Sequence, residues 1–295
     1  MLFAHQLNIG LIFFLLITAG PLSAAEATNA ADIDHSGAGR VYSWSVVPQF
    51  NPTRVHRDWQ PFLHELEAIS GLEFKLLPAD SFRFFEDGIR KRRFDFIYAN
   101  PYQTLQAHDQ HGYTPLIRDK ERNLTGILVV RKDSPVHQVE ELDGGRIAFA
   151  APNAFAVSLY MRALLTEKFG IHFVADYVGS HSNAYRKVLL GRDMASGGIY
   201  RTLNRERPEV IENLRIIYEA PSTITHAISA LTRLPRSVRD KVQQSILAMA
   251  QTERGRKFLN PVFLPQPIVA DFERDYAPLK QLNLDEYAVW SEQDQ

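Results

Sequence analysis

His181 is the residue whose surroundings most suggest chemistry: it stands in Gly179-Ser180-His181-Ser182, where an apolar strand pattern gives way to a helical one. An imidazole changes charge near neutral pH and can both donate and accept a hydrogen bond. A lone histidine is often a satisfied structural residue, but its place at a strand end favours a ligand-facing role, while Ser180 is accounted for as a helix cap. Other groups stand at comparable strand-to-helix junctions. Gln49, after Pro48, has an amide that can donate to a ligand oxygen or cap its own loop. Asn100, before Pro101, is explained by helix capping alone, whereas Tyr98 offers a phenol with both a stacking face and a donor. Asn153, Ala154 and Phe155 open a helix whose first N–H groups and dipole attract an anion whatever the side chains are. The Phe155 ring can line a cleft or pack in the core at its spacing from Leu159. Ser196-Gly197-Gly198 reads as a tight turn or as a loop that lets a ligand approach closely.

Other chemistries lose ground. The chain has no cysteine, which excludes structural disulfides, Cys-ligated zinc and thiol catalysis. No Gly-x-Ser-x-Gly, phosphate loop or His-Glu-x-x-His occurs, so an enzyme is not expected. His108 and His111 with Asp109 could share a metal, but no third strong ligand stands nearby and a solvated helix face explains them. Neither metal nor cofactor is expected. With 33 basic against 34 acidic residues the formal charge is −1, which recommends neither nucleic acid nor anionic membrane as a partner.

These groups need elements to hold them. Residues 1–25 carry no Lys, Arg, Asp or Glu and contain an apolar run closed by Gly20, Pro21 and Ser23-Ala24-Ala25, as a secretory signal peptide does, with cleavage expected near Ala24 or Ala25. Residues 26–40 read as a flexible leader. About 270 residues remain, enough for two domains, and the hydrophobic fraction of 45% can fill their cores. Alternating strand and helix patterns run from Val41 through Pro101, and a second such series starts at Arg146, which implies α/β layers with mainly parallel sheets. A strand at 126–131 crosses between the two units. Residues 224–231 carry the chain back, and one long helix is expected over 236–258 before a proline-punctuated tail. The expected lobes are 41–128 plus 222–295, and 129–221. Ligands in such folds sit where strand ends and helix N-termini converge.

Several phrases, in order, resemble the phosphonate/phosphite-type family of periplasmic solute-binding proteins of ABC transporters. They are Val46-Val47-Pro48-Gln49 with Trp59-Gln60-Pro61-Phe62-Leu63, then Asp95-Phe96-Ile97-Tyr98-Ala99-Asn100-Pro101-Tyr102. Leu128 to Ser134 with Leu142-Asp143-Gly144 follows, then Gly179-Ser180-His181, and last Asp275-Tyr276-Ala277-Pro278-Leu279. The resemblance covers nearly the whole chain after residue 40. It implies the type II periplasmic-binding-protein fold, two α/β lobes with a ligand cleft between them, a periplasmic location, and a small anionic ligand touched by residues matching Tyr98 and His181. Two departures stand out. Ala154-Phe155-Ala156 replaces the family's Ser-Thr-Ser anion triplet, and Met194 stands where an Asp is common. The Phe-containing variant also resembles extracytoplasmic sensors that work with a membrane histidine kinase. Expected partners are therefore an ABC permease or such a kinase, for a monomeric binding protein.

Overall fold

Side-chain caps and short apolar strands build the first lobe. The computed structural model describes residues 39–120 and 123–289; the expected signal peptide and nearly all of the expected leader lie outside them. Strand β1 (Val41–Val46) runs into helix α1 (Pro52–Ser70), whose Asn51 side chain accepts the Arg54 N–H, and Gly71 closes the helix at φ 64°. A left-handed residue there favours glycine, which lacks the Cβ that would clash. Strand β2 (Glu73–Leu76) alternates exposed and buried positions. Ser81 caps α2 (Phe82–Arg90), and the fully buried β3 (Phe96–Ala99) leads to α3 (Pro101–His111). Asn100 and Gln103 cap α3 reciprocally, each side chain bonded to the other's backbone N–H.

Strand β4 (Tyr113–Asp119), β5 (Gly126–Arg131), β6 (Arg146–Phe149), β7 (Val174–Tyr177), β8 (Ala195–Ile199), β9 (Leu214–Glu219), β10 (Ala227–Leu231) and β11 (Pro267–Val269) complete two sheets. Sheet one has the order β11-β4-β10-β3-β1-β2 and sheet two β7-β6-β8-β5-β9. In each, an antiparallel strand wedges against a parallel set: β10 pairs with β3 and β4, and β5 pairs with β8 and β9, while β11 also runs antiparallel to β4 at the edge of sheet one. The sequence reading divided residues 126–131 at Leu128, but the whole strand belongs to sheet two. The chain passes from β4 to β5 and returns from β9 to β10. An antiparallel bridge between Leu124 and Thr223 joins the two crossings, with N–H···O distances of 2.9 and 3.0 Å.

Helices α4 (Tyr160–Glu167), α5 (His181–Leu189), α6 (Tyr200–Leu203) and α7 (Pro208–Ile211) belong with sheet two, and α8 (Arg236–Ala250) and α9 (Glu253–Leu259) follow β10. Two expectations are corrected. The helix expected over 236–258 is broken, because the Thr252 hydroxyl accepts the Gly255 N–H at 3.0 Å and starts α9 afresh. Residues 195–198 form no turn; they are the buried interior of β8. Their glycines answer to packing. A Cβ on Gly197 would lie 1.9 Å from the Val157 carbonyl oxygen, and one on Gly198 would lie 2.4 Å from the Tyr185 hydroxyl. Glycine inside a strand often marks such an approach of another chain segment.

The lobe-one core is aromatic. Trp44 stacks on Phe96 with ring centres 5.3 Å apart and meets Trp59 at 6.2 Å; Trp59 then meets Tyr98 at 4.8 Å. This row of rings runs from the middle of the core to the end of β3, where the cleft begins.

Candidate functional site

Between the lobes lies an inner cavity of about 20 Å³, bounded by Val47, Gln49, Phe82, Asn100, Leu124, residues 154–157, His181, Ile199 and His226. That is room for about one water molecule, so the lobes are closed on each other. Of the residues expected from sequence, Gln49, Asn100, Ala154, Phe155 and His181 meet here. Phe155 both lines the cavity and is buried, with its ring stacked on Tyr160 at 5.9 Å.

Lobe two supplies backbone donors. The segment after β6 enters its helix through a π-turn (Phe155–Leu159), in which the Tyr160 N–H bonds the Phe155 carbonyl and the Ser158 and Leu159 N–H groups share the Ala154 carbonyl. The N–H groups of Phe155, Ala156 and Val157 bond no protein acceptor among the described residues. Gly126 and Gly197 let this turn lie flat on the sheet, since a Cβ on either would strike the Ala156 or Val157 carbonyl oxygen. Three unpaired donors at a helix start have the chemistry to accept an anion without hydroxyl side chains.

Two imidazoles complete the inner site, one from each lobe. Ser180 caps α5 and sets His181 at its first position, where the ring is buried and Nδ1 has no hydrogen-bond partner. Burial first, and then the Arg201 charge, push its pKa down to about 3. His226 stands just before β10, its ring stacked on Tyr98 at 5.2 Å and its Nε2 2.8 Å from the Gln49 amide nitrogen. With Gln49 donating, Nε2 accepts and Nδ1 carries the proton; that Nδ1 is also buried without a partner. Burial, Arg201 and His181 hold this ring well below its ordinary value too. Both rings are therefore neutral at pH 7 in the closed form. An anion between them would offset the burial penalty and favour their protonated states.

The remaining expected residues lie elsewhere. Tyr98 is wedged between Trp59 and His226 and acts as backing for the second imidazole. Pro48 does not border the inner cavity, and Ser180 serves as a cap. Ser196 is fully buried in β8 and donates to the Gly197 carbonyl. Asn153 turns away: its Nδ2 donates to Glu86 at 3.2 Å and to the Val289 carbonyl at 3.1 Å, and its Oδ1 accepts the Val289 N–H. Its own carbonyl accepts a bond from Asn100 Nδ2 at 3.2 Å, so Asn100 both caps α3 and ties lobe one to lobe two. Away from the cleft, His108 stacks on Phe272, and Asp109 pairs with Lys280. Among the described residues no three His, Cys, Asp or Glu side chains converge as a metal site would require.

Residues 44–276 match the family model described as the periplasmic substrate-binding protein of phosphonate ABC transporters. The chain belongs to this family. The family consists of periplasmic binding proteins that take up a small solute and serve an ABC transporter. No curated protein sequence matches the chain significantly. Among solved structures, a binding-protein component of an ABC phosphonate transporter from Pseudomonas aeruginosa superposes with a TM-score of 0.75 at 15% identity, over 83% of this chain and 86% of that one. PhnD1 from Prochlorococcus marinus, solved with methylphosphonate, gives 0.75 at 17% identity, over 84% and 99%. A Xanthomonas citri protein solved with ATP gives 0.70 at 16% identity, again over 84% and 99%. At such identities the likeness establishes the fold, the type II periplasmic-binding-protein fold with two α/β lobes. Among the described residues no helix is long and apolar enough to cross a membrane.

Sequence reasoning missed His226, which faces His181 across the closed cleft of this binding protein. The signal was the polar run Thr223 to His226 (broken only by Ile224) just ahead of the apolar β10, at the point where the chain re-enters lobe one. It also missed a rim cluster. Phe50 and Phe263 stack at 6.0 Å, with the Arg54 guanidinium 4.4 Å from the Phe50 ring and those of Arg201 and Arg205 4.2 and 4.3 Å from Phe263. Arg201 and Arg205 belong to lobe two and the rings to lobe one, so these cation–π contacts cross the cleft mouth.

Proposed function

We propose that this binding protein captures a small oxyanion of the phosphate, phosphonate or phosphite class and presents the closed, loaded form to an ABC permease, without catalysing a reaction. One observation carries the reading: the free N–H groups of Phe155, Ala156 and Val157 open onto the same closed cavity as His181 and His226. Backbone donors then do the work assigned to hydroxyls in the family's Ser-Thr-Ser triplet. Two imidazoles take up charge as the anion enters. Arg201 supports the anion at longer range, because its field already acts on both rings. The Phe155 ring leaves an apolar wall for an organic substituent. Because the inner cavity holds about one water, binding requires the lobes to part about the Leu124–Thr223 bridge and to close again around the ligand.

A thermal-shift screen of the chain from Glu26 tests this, using phosphate, phosphite, methylphosphonate, sulfate and small carboxylates at millimolar concentration. A ligand at a hundred times its Kd adds about 2.7 kcal/mol of stability, an easily read shift. A selective response to one phosphorus oxyanion supports the reading; silence across all of them rejects it. Replacing His181 by Ala should weaken the responding anion while leaving the unliganded melting curve two-state. The monomeric protein docks on its membrane partner in the closed form. A permease and ATPase encoded beside the gene point to transport, and a histidine kinase there points to sensing.

A further inference from the structure

Beside the inner cavity lies a second and larger one of about 640 Å³, within the range of small-molecule sites. Lobe one contributes α2 and α3 to it, and lobe two the loops after β6 and β7. Much of the wall is apolar, with Phe82 and Ile89 on one side and Ala150, Pro152 and Tyr177 on the other. Phe82 borders both cavities, and Asn153 faces this one.

In that wall stands a carboxyl group that forms no ion pair among the described residues. Glu86 accepts hydrogen bonds from the amides of Gln103, at 3.0 Å, and Asn153, at 3.2 Å. Among the described residues no Lys, Arg or His forms an ion pair with it. Asp87 next to it is paired with Arg90 at 2.8 Å. Arg83 is exposed at the margin, and burial together with Arg92 and Arg90 lowers the pKa of His111, which leaves that ring neutral at pH 7. Burial raises the Glu86 carboxyl to about 7, against the lowering effect of the two amide bonds and with a small further push from Asp87. Two neutral amides orient a carboxylate but do not balance its charge, and even a half-buried charge left unbalanced is unfavourable.

We propose that this lateral cavity binds a small organic amine, with its ammonium group on the Glu86 carboxylate and its apolar body against Phe82, Ile89 and Tyr177. The site is separate from the oxyanion cleft, takes the opposite charge, and does not depend on the oxyanion reading. Because both lobes form its walls, a bound amine spans the two.

Isothermal titration of the chain from Glu26 with 2-phenylethylamine, neutral 2-phenylethanol and anionic 3-phenylpropionate tests the proposal. The amine should bind, the alcohol should bind about 10-fold or more weakly, and the anion should give no heat of binding. Glu86→Gln keeps the size and removes the charge, and should weaken the amine by about 10- to 100-fold. Should that variant fail to fold, titration of the unaltered chain in buffers of different ionisation enthalpy decides the matter. At about pH 6 the amine must displace nearly one proton from Glu86, and the release must fade above about pH 8. Absence of amine binding, equal affinity for the alcohol or the anion, undiminished affinity in Glu86→Gln, or binding without proton release overturns the inference. Phosphate, phosphite and methylphosphonate titrated separately keep the two sites distinct: an amine failure beside a response to any of the three rejects only the lateral site, and silence of all three beside amine binding rejects only the cleft reading.

Discussion

A histidine kept neutral inside a closed cleft makes the molecule sensitive to acid. The unfolded chain binds protons at His181 and His226 near the ordinary value of 6.5, while the closed form resists them until about pH 3 at His181 and to well below 6.5 at His226. Stability from these rings is therefore complete above about pH 6.5 and lost as pH falls toward 3, by about 1.4 kcal/mol per pH unit for each ring. Urea denaturation at pH 7 and pH 5 should show the loss, and the double variant His181→Gln/His226→Gln should flatten it; an equal slope in the variant rejects these rings as its source. An oxyanion in the cleft reverses the trend for binding, so its affinity should rise as pH falls from 7 to 6. His181 was legible because a Gly-Ser-His-Ser loop at a strand end is a local pattern. His226 was not, since its importance comes from facing a ring 45 positions away in the other lobe. Asn153 was placed in the ligand site because of its neighbours in sequence, whereas its side chain is claimed by Glu86 and the tail at Val289.

At the scale of elements, the flat seat of the π-turn on sheet two decides where the backbone donors point. Gly197→Ala would drive a Cβ into the Val157 carbonyl and the Phe149 ring, 1.9 and 2.7 Å away, neither of which is a flexible side-chain end. A loss of about 1–3 kcal/mol in urea denaturation is expected, together with weaker anion binding; a neutral substitution would mean the turn has other room. Asn100→Asp separates two duties of one residue. It keeps the α3 cap but loses the Nδ2 donor to Asn153, so the melting temperature should hold nearly steady while the closed fraction falls, as small-angle scattering would show by a larger radius of gyration. Elements announced by local chemistry were readable: Asn100 and Ser180 each cap the helix expected after them. Elements set by tertiary contact were not. Pro115 argues against a strand at 113–119, yet β4 accommodates it opposite Ser229, beside a register shift in β10. The paired glycines of β8 looked like a turn because sequence does not display the carbonyl pressing on them. Thr252 was hidden inside an otherwise helical run.

For the whole molecule, closure is held by the Asn100–Asn153 bond, by the tail at Tyr287 and Val289 against Arg162 and Asn153 of lobe two, and by the guanidinium–ring cluster at the cleft mouth. Arg205 also reaches Asp58 at 3.9 Å, which adds an ion pair across the same gap. Arg205→Ala should remove about 1 kcal/mol of closing free energy, and scattering should report a more extended average shape without ligand; an unchanged profile places the closing force elsewhere. The two-lobed plan itself was visible in the order of strand and helix patterns, and the bridge between its two crossings was not, because one antiparallel pairing of Leu124 with Thr223 leaves no pattern in either segment. The strand order of sheet one carries a further consequence. Strand β10 lies between β3 and β4, so those two edges wait without a partner until residues 227–231 have been synthesised. Throughout that interval the nascent chain presents open, apolar strand edges that invite wrong partners. Sheet two lies wholly within residues 126–219 and can assemble first. The binding protein should then acquire its second lobe before its first, and a chaperone that shields β3 and β4 would raise its yield more than one acting on the segment inserted between them.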